Sequence, residues 1–355
     1  MPHGVKKLVL SLMLLTVIFC SVLCFIPAEA GEQPLRVLAW PGYADPDIVK
    51  TFEQRTGARV EVTFVGTDLE LWTKLSRNNG RDFDVFAVNT AELQRYIAKG
   101  LVSGIPVQEI SNRSKQLPRF RDLNSIRGIV HNGTVYAIPY TYSEMGLIYD
   151  RQQLKKAPES ITALWDKQYR GKVIAYNAGV HNFSLAAQTL RLSSPFSIPP
   201  ADIPAVVDRL IALRRNVTGF YTQPEESVAM FKNRKAALMF ANFGTQQVQL
   251  LKKAGVDAGY ALPKEGALAW LDCWAITREA KNKKLAAAWI NYLLDDLPGK
   301  ALTSRQGLAN TTAESPSITP EKLILWLEPV EDEARRDQLW GRIVSGSSAA
   351  KVLAP

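Results

Sequence analysis

Residues 35–65 read LRVLAWPGYADPDIVKTFEQRTGARVEVTFV, which is an apolar run, an amphipathic segment and a second apolar run in succession. The first run, 35–40, stops at a Pro-Gly pair, and this turn signal predicts the end of a strand. The next segment has apolar residues at helical spacing and closes on Gly57, which predicts a helix with a glycine C-cap. Residues 58–65 alternate as a second strand. This order predicts a parallel strand pair joined by a crossover helix.

The alternation of strands and helices continues with a buried strand at 83–88 (FDVFAV) and a helix after it. In parallel α/β sheets, ligands gather at the carboxyl ends of the strands. Trp40 ends the first strand and Tyr43 follows it, and Asn89 and Thr90 follow the strand at 83–88. We therefore expect these four side chains to face the same place.

The segment 134–150 (TVYAIPYTYSEMGLIYD) is extended, rich in tyrosine and interrupted by a proline, which suits a crossover between lobes. Beyond it the α/β alternation resumes as far as residue 294. The chain is expected to pass between two lobes near 138–140, 262–269 and 309–312. The predicted lobes are 31–139 plus 269–310 and 140–268 plus 311–355.

The N-terminal residues have the layout of a secretory signal. Lys6 and Lys7 precede an apolar stretch at 8–26, and Pro27 leads into an Ala-Glu-Ala site that ends at Ala30. This pattern predicts a signal peptide at 1–30 that is cleaved after Ala30, which would place the mature protein in the periplasm. The alternative is an uncleaved membrane anchor, because the apolar stretch is near the minimum length that spans a bilayer.

The composition excludes several functional classes. The net charge of +9 comes from scattered basic residues without a nucleic-acid motif, so no nucleic-acid partner is expected. Loss of the signal would leave Cys273 as the only cysteine, and hence no internal disulfide. The chain has three histidines and no signature of a hydrolase, metalloprotease, P-loop or dinucleotide-binding enzyme. We expect no catalysis, no metal site and no cofactor.

Within the segment 263–276 (PKEGALAWLDCWAI), Asp272 is the only charged residue of the apolar run 267–276, where it stands between Trp270 and Trp274. Burying a carboxylate costs several kcal/mol unless a cation or hydrogen-bond donors meet it. Asp272 is therefore either a structural residue held by backbone N–H groups or an anchor for a cationic ligand.

Several segments, in this order, resemble the spermidine/putrescine-binding proteins of bacterial polyamine ABC importers. They are LAWPGYADPDIVKTFEQRTGARV, FDVFAVNTAELQR, YAIPYTYSEMGLIYD, the block 263–295 and RQGLANTTAESP. The resemblance covers nearly the whole mature chain. It implies an α/β, two-lobe periplasmic binding protein fold of type II, in which each lobe is a mainly parallel sheet flanked by helices. It also implies hinge closure on the ligand and delivery to an inner-membrane ABC permease by a carrier that is usually a monomer.

The resemblance implies roles for individual residues. In the family, positions matching Trp40 and Tyr43 contribute to the cleft, and the polar pair matching Asn89 and Thr90 contributes an amide or hydroxyl. Positions matching Trp270 and Asp272 provide an aromatic wall and a carboxylate for an ammonium group. Such a site is physically coherent, because a desolvated cation–π contact contributes about 0.5–2 kcal/mol. A carboxylate–ammonium hydrogen bond adds roughly 1.5–3 kcal/mol.

Other positions depart from the family pattern. His181 lies in a stretch where second-lobe carboxylates are expected, Phe240 replaces an expected tryptophan, and Glu144 is an additional acid. All three are candidate ligand contacts. Either Glu144 meets the second charge of a diamine, or the ligand is a monoamine or a zwitterion whose acidic end meets His181, Asn177 or a helix N-terminus. Amino-acid derivatives and aminophosphonates are such zwitterions, and a periplasmic sensor subunit is an alternative use of the same fold.

Overall fold

The computed structural model describes residues 33–314 and 323–355, and the signal peptide predicted at 1–30 lies outside these residues. The strands in chain order are β1 Leu35–Ala39, β2 Val60–Phe64, β3 Val85–Asn89, β4 Val130–His131, β5 Thr134–Val135, β6 Ala137–Asp150, β7 Val173–Tyr176, β8 Val217–Tyr221, β9 Leu238–Ala241, β10 Ala258–Ala261, β11 Ala267–Ile276, β12 Ala309–Asn310 and β13 Ile324–Trp326. The α-helices are α1 Pro46–Thr56, α2 Asp68–Arg77, α3 Thr90–Ala98, α4 Pro118–Arg121, α5 Gly179–Thr189, α6 Ile203–Asn216, α7 Pro224–Asn233, α8 Thr245–Lys253, α9 Lys283–Leu293, α10 Asp296–Ala301, α11 Glu333–Val344 and α12 Ala349–Leu353.

The main sheet has the strand order β2-β1-β3-β11-β6-β9-β7-β8. Three strands at each end run parallel, because β1 pairs with β2 and β3, and β7 pairs with β8 and β9. The strands between these ends are antiparallel to their neighbours, and β6 pairs with β11 up to Met145 and with β9 from Gly146 onward. The predicted α/β fold, with mainly parallel strands on each side, is therefore confirmed. We call β2, β1, β3 and β11 the first half, and β9, β7 and β8 the second half.

Two helices of the first half begin where a strand ends. The Thr67 side chain accepts a hydrogen bond from the backbone N–H of Glu70 (3.1 Å) and caps α2 just after β2. The Asn89 side chain accepts one from the backbone N–H of Glu92 (2.9 Å) and caps α3 at the end of β3. Such caps satisfy backbone donors that the helix itself leaves free. The carboxyl ends of β2 and β3 and two helix starts consequently share one edge of the sheet.

The long pair of β6 and β11 contains a β-bulge. Asp272 lies opposite Thr141, whereas the next residue, Cys273, lies opposite Pro139, so Tyr140 is the extra residue. A proline has no N–H to donate to the ladder, and sheets accommodate it at bulges and edges. A bulge bends its strand and redirects nearby side chains. In this protein the bulge adjoins the carboxylate that the sequence singled out.

The opposite edge of the first half is held by a buried ion pair. Asp84, 1% exposed, precedes β3 and accepts hydrogen bonds from Arg36 N (2.9 Å), Nε (2.9 Å) and Nη2 (2.7 Å). The backbone N–H of Lys281 donates to it as well (2.8 Å). Burial raises the pKa of Asp84, but the Arg36 hydrogen bonds outweigh burial and leave the pKa below its ordinary value. These bonds fix β1, β3 and the segment after β11 to one another.

We predict that Asp84→Asn lowers the free energy of unfolding by about 3 kcal/mol, because breaking a buried ion pair leaves an uncompensated charge. Urea unfolding at pH 7 measures the loss. The matched control is Asp82→Asn, since Asp82 pairs with Arg77 and Asn78 at the surface and such pairs contribute about 0–1 kcal/mol. Equal losses in the two variants would contradict this role of Asp84.

Candidate functional site

The candidate site lies where β1, β2 and β3 end and β11 passes beside them. Asp272 is the register partner of Asn89 on one side and of Thr141 on the other. Paired residues of neighbouring strands direct their side chains to the same face of a sheet, and alternate residues of a strand share a face. Trp270 and Asp272 therefore lie on the same face as Asn89.

Asp272 is a buried carboxylate that meets no cationic side chain. It is 7% exposed, and its Oδ2 accepts a hydrogen bond from the Tyr43 hydroxyl (2.6 Å). None of the described residues forms a salt bridge with Asp272 or donates to its Oδ1. Burial raises the pKa of Asp272 from 3.8 to about 7, the Tyr43 hydrogen bond opposes this rise, and the charge of Asp68 adds to it. The desolvation of this carboxylate is therefore not offset by a charged partner among the described residues.

A cavity of about 60 Å³, which we call the inner cavity, adjoins this carboxylate. Its walls are rich in aromatic side chains and include residues from both halves of the fold. The lining residues are Trp40, Pro41, Tyr43, Val65, Gly66, Asp68, Asn89, Tyr176, His181, Gln223, Pro224, Asn242, Phe243, Gln246, Trp270, Asp272 and Leu327. Trp270 is held in place because its Nε1 donates to the carbonyl oxygen of Asn242 (3.0 Å).

His181 lies in the first turn of α5 and is 8% exposed. Its Nδ1 is 2.7 Å from Oδ1 of Asn242, and its ring stacks on Tyr176 with centroids 5.7 Å apart. Burial lowers the pKa of His181 to about 4, against the opposing effect of Asn242. The ring is therefore neutral at pH 7. Since an amide oxygen only accepts, Nδ1 carries the proton.

The structure brings together six of the nine residues that the sequence predicted. Trp40, Tyr43, Asn89, His181, Trp270 and Asp272 all line the inner cavity. Asn89 has two roles there, because its Oδ1 caps α3 and its Nδ2 donates to Oδ1 of Asp68 (3.2 Å).

Thr90, Glu144 and Phe240 lie elsewhere, and none of them lines either of the two cavities described here. Thr90 is the first residue of α3 and is buried. Glu144 is the register partner of Ala269, so its side chain lies on the face of the sheet opposite to Trp270 and Asp272. Phe240 is 0% exposed in β9, where its backbone carbonyl accepts the Tyr221 hydroxyl (2.6 Å).

Sequence reasoning missed a second carboxylate, Asp68. It is the first residue of α2, directly after the Thr67 cap, and it is partly buried. Burial raises its pKa from 3.8 to about 6, Arg95 opposes the rise, and Glu333 and Asp337 add to it. The strand-end rule that selected Trp40 and Asn89 would have found Asp68 as well, had it been applied to the strand at 58–65.

A larger cavity of about 430 Å³, which we call the acidic chamber, continues from the inner cavity. The two share Asp68, Asn89, Tyr176, His181 and Leu327. The chamber is lined by α3, the start of α5, the segment 327–330 and α11. Its acidic residues are Asp68, Glu92, Glu328, Glu333 and Asp337. Arg95 is the only lysine or arginine among the described residues that line it.

Metal binding finds no support in the described residues. Within 33–314 and 323–355, no three histidine, cysteine, aspartate or glutamate side chains converge closely enough to hold an ion. Cys273 is a buried free thiol that packs in the sheet, 3.8 Å from the carbonyl oxygen of Leu271.

Sequence comparison identifies relatives that span most of the chain. Residues 47–322 match the family described as bacterial extracellular solute-binding protein. The spermidine/putrescine-binding periplasmic protein of Escherichia coli is 23% identical over 301 residues, covering 80% of this chain and 81% of the relative. The putrescine-binding periplasmic protein SpuD of Pseudomonas aeruginosa is 24% identical over 283 residues, covering 75% of this chain and 74% of the relative.

Structural comparison agrees with the sequence match. The spermidine/putrescine ABC transporter substrate-binding protein PotD from Streptococcus pneumoniae, solved in complex with calcium and HEPES, superposes with a TM-score of 0.69. The sequence identity is 19%, and the superposition covers 90% of this chain and 99% of that chain. At this identity the likeness shows a common fold. Because the family match spans well over half of the chain, the predicted family is confirmed: this protein belongs to the bacterial extracellular solute-binding proteins.

Proposed function

We propose that this protein binds a polyamine or a related organic amine in the inner cavity and delivers it to an inner-membrane ABC permease. The observation that carries the proposal is Asp272, a carboxylate that is 7% exposed and has no cationic partner among the described side chains. An ammonium group would supply the missing charge and donate to the free Oδ1, and charge-assisted hydrogen bonds of this kind contribute about 1.5–3 kcal/mol.

Aromatic side chains around Asp272 suit the rest of an amine. Trp40, Tyr43 and Trp270 line the same cavity, and their ring faces attract a cation while their carbon surfaces cover methylene groups. Tyr43 also contacts Tyr140 edge to face, with centroids 5.5 Å apart, which restrains its hydroxyl toward Asp272. The printed names of the relatives, spermidine/putrescine-binding and putrescine-binding, support the same ligand class.

The geometry favours an amine over a zwitterion. A zwitterion would need a cationic or hydrogen-bond-donating partner for its acidic end. His181 is neutral and its Nδ1 donates to Asn242, while the described charged residues that line the adjoining chamber are five carboxylates and Arg95. Both features disfavour a negatively charged ligand group in the site. An acidic ligand group is therefore the less favourable case.

The proposed setting is the periplasm, where the protein acts as a monomeric carrier after its signal peptide is removed. The periplasmic names of the relatives support this location. Of the helices that the structure describes, none combines the length and apolar character needed to cross a bilayer. We infer a carrier and not an enzyme, since the matching family is described as solute-binding, and two candidate reactive groups, His181 and Cys273, are engaged by Asn242 and buried in the sheet respectively.

We also propose that the lobes close on the ligand as predicted, with 31–139 plus 269–310 moving against 140–268 plus 311–355. Residues of both halves line the inner cavity, so a bound amine would join Asp272 to the second half through contacts near Asn242. Hinge closure around a ligand is a common transition of binding proteins.

We expect an amine panel to identify the ligand class by thermal shift. Putrescine, spermidine or spermine at 100 times its dissociation constant should stabilise the wild type by about 2.7 kcal/mol. Asp272→Asn should weaken binding by about 10- to 100-fold, because it removes a charge-assisted hydrogen bond. The matched control is Asp208→Asn on the exposed side of α6, which should bind normally. Absence of any amine-induced shift in the wild type would refute the proposed function.

Asp272 should also destabilise the ligand-free protein at high pH. Its folded-state pKa of about 7 is above the ordinary 3.8, so its contribution to stability is full below pH 4 and is lost as the pH rises through 7. Asp272→Asn should therefore be more stable than the wild type at pH 8 by a few kcal/mol, at about 1.4 kcal/mol per unit of pKa shift. Urea unfolding at pH 4, 6 and 8 without amine tests this. A variant less stable than wild type at pH 8 would contradict it.

Closure predicts that saturating putrescine reduces the radius of gyration of the wild type in solution scattering. The ammonium neutralises Asp272 and allows the two halves to approach. Asp272→Asn, which binds more weakly, should require an about 10- to 100-fold higher putrescine concentration for the same decrease in radius. An unchanged radius in wild-type protein that calorimetry shows to be saturated would argue against hinge closure.

A further inference from the structure

The acidic chamber would stay empty if the ligand contacted only Asp272 in the inner cavity. The inner cavity of about 60 Å³ admits little more than an ammonium group and its nearest methylenes. The chamber of about 430 Å³ falls in the range of roughly 300–1,000 Å³ that is typical of small-molecule sites. A ligand of ordinary size bound at Asp272 must therefore extend into the chamber.

Asp68 lies at the junction, because it lines both cavities. Its Oδ1 accepts one hydrogen bond, from Nδ2 of Asn89 (3.2 Å). Its Oδ2 accepts none from the described residues, and no lysine or arginine of the described ranges forms a salt bridge with it. Asp68 thus resembles Asp272, with one oxygen bonded to a neutral group and the other free.

The other charged side chains of the chamber already have partners. Arg95 directs Nη1 to both carboxylate oxygens of Glu333 (2.9 and 3.0 Å) and Nη2 to Glu92. Toward Asp68, the guanidinium donates only to the backbone carbonyl oxygen (3.2 Å). Glu328 pairs with Arg127, and backbone N–H groups at the start of α5 donate to Asp337. Asp68 therefore remains without a cation.

A second observation, the unpaired Asp272 on the same cavity, also points to a cationic ligand at this place. The inner cavity that Asp68 lines is also lined by Asp272, a carboxylate more than nine-tenths buried whose Oδ1 has no partner among the described residues. Two carboxylates that face one cavity without cations repel each other, and one ligand with two positive charges would relieve both. Glu144, the acid that the sequence suggested for this role, lies on the other face of the sheet.

We propose that Asp68 is a second cation subsite, so that the ligand is an amine with at least two ammonium groups, one at Asp272 and the next at Asp68. The remainder of a longer amine lies in the acidic chamber. This inference rests on the proposed function, and it excludes a simple monoamine as the preferred ligand. It also locates the second anchor on the first half of the fold, where none had been predicted.

Titration calorimetry with putrescine and butylamine tests the proposal, because the two ligands share a four-carbon chain and differ by one ammonium group. The wild type should bind putrescine at least about tenfold more tightly than butylamine. Asp68→Asn should weaken putrescine by about tenfold or more and change butylamine less than about twofold. Retained butylamine binding also shows that this variant is folded.

Asp272→Asn should weaken both ligands, and Asp208→Asn on exposed α6 should weaken neither. Three outcomes overturn the second subsite while leaving the amine site at Asp272 intact. These are equal wild-type affinity for butylamine and putrescine, unchanged putrescine affinity in Asp68→Asn, and equal loss of both ligands in Asp68→Asn. A wild type that binds neither putrescine, spermidine nor butylamine overturns the proposed function as well.

Discussion

The organisation of the site depends on one desolvated carboxylate. Asp272 is buried in a sheet, accepts a hydrogen bond from the Tyr43 hydroxyl and lacks a cation among the described side chains. Burial raises the pKa of Asp272 to about 7, because the neutral Tyr43 hydroxyl offsets the loss of water only in part. Such a group destabilises the ligand-free fold and strengthens cation binding, because a bound cation offsets the desolvation free energy of the carboxylate. Stability and affinity are thus opposed at the same residue.

The fold brings this carboxylate to the ligand by two simple devices. Parallel strands β1, β2 and β3 end at one edge, where Trp40, Asp68 and Asn89 converge. The antiparallel strand β11 then runs alongside β3, and the bulge at Asp272 adjoins the proline of β6. The same β6 continues into the second half, so residues such as Asn242 can close the cavity from the other side.

Much of the site could be predicted because it follows local rules. Trp40 and Asn89 were accessible through the strand-end rule, and Asp272 through the anomaly of a carboxylate in an apolar strand. Glu144 shows where such rules fail. Its position next to the crossover suggested a ligand contact, but the face it occupies depends on its pairing with β11, which residue spacing along β6 does not reveal. The strand-end rule could have selected Asp68, but only the structure shows that neighbouring carboxylates have cationic partners while Asp68 has none among the described residues.

The sequence by itself determined the α/β class and the family, and it singled out Asp272 as a carboxylate within an apolar strand; the export signal stays a prediction. The α/β class and the unusual position of Asp272 follow from periodicity, turn residues and composition, which act over short stretches of chain, whereas the family follows from the resemblance of whole segments to known proteins. Only the tertiary structure decided which acids share a cavity, that His181 is neutral against Asn242, and that Arg95 is committed to Glu333. Desolvation and charge pairing are set by neighbours distant in sequence, so they exist only once the strands and helices have packed.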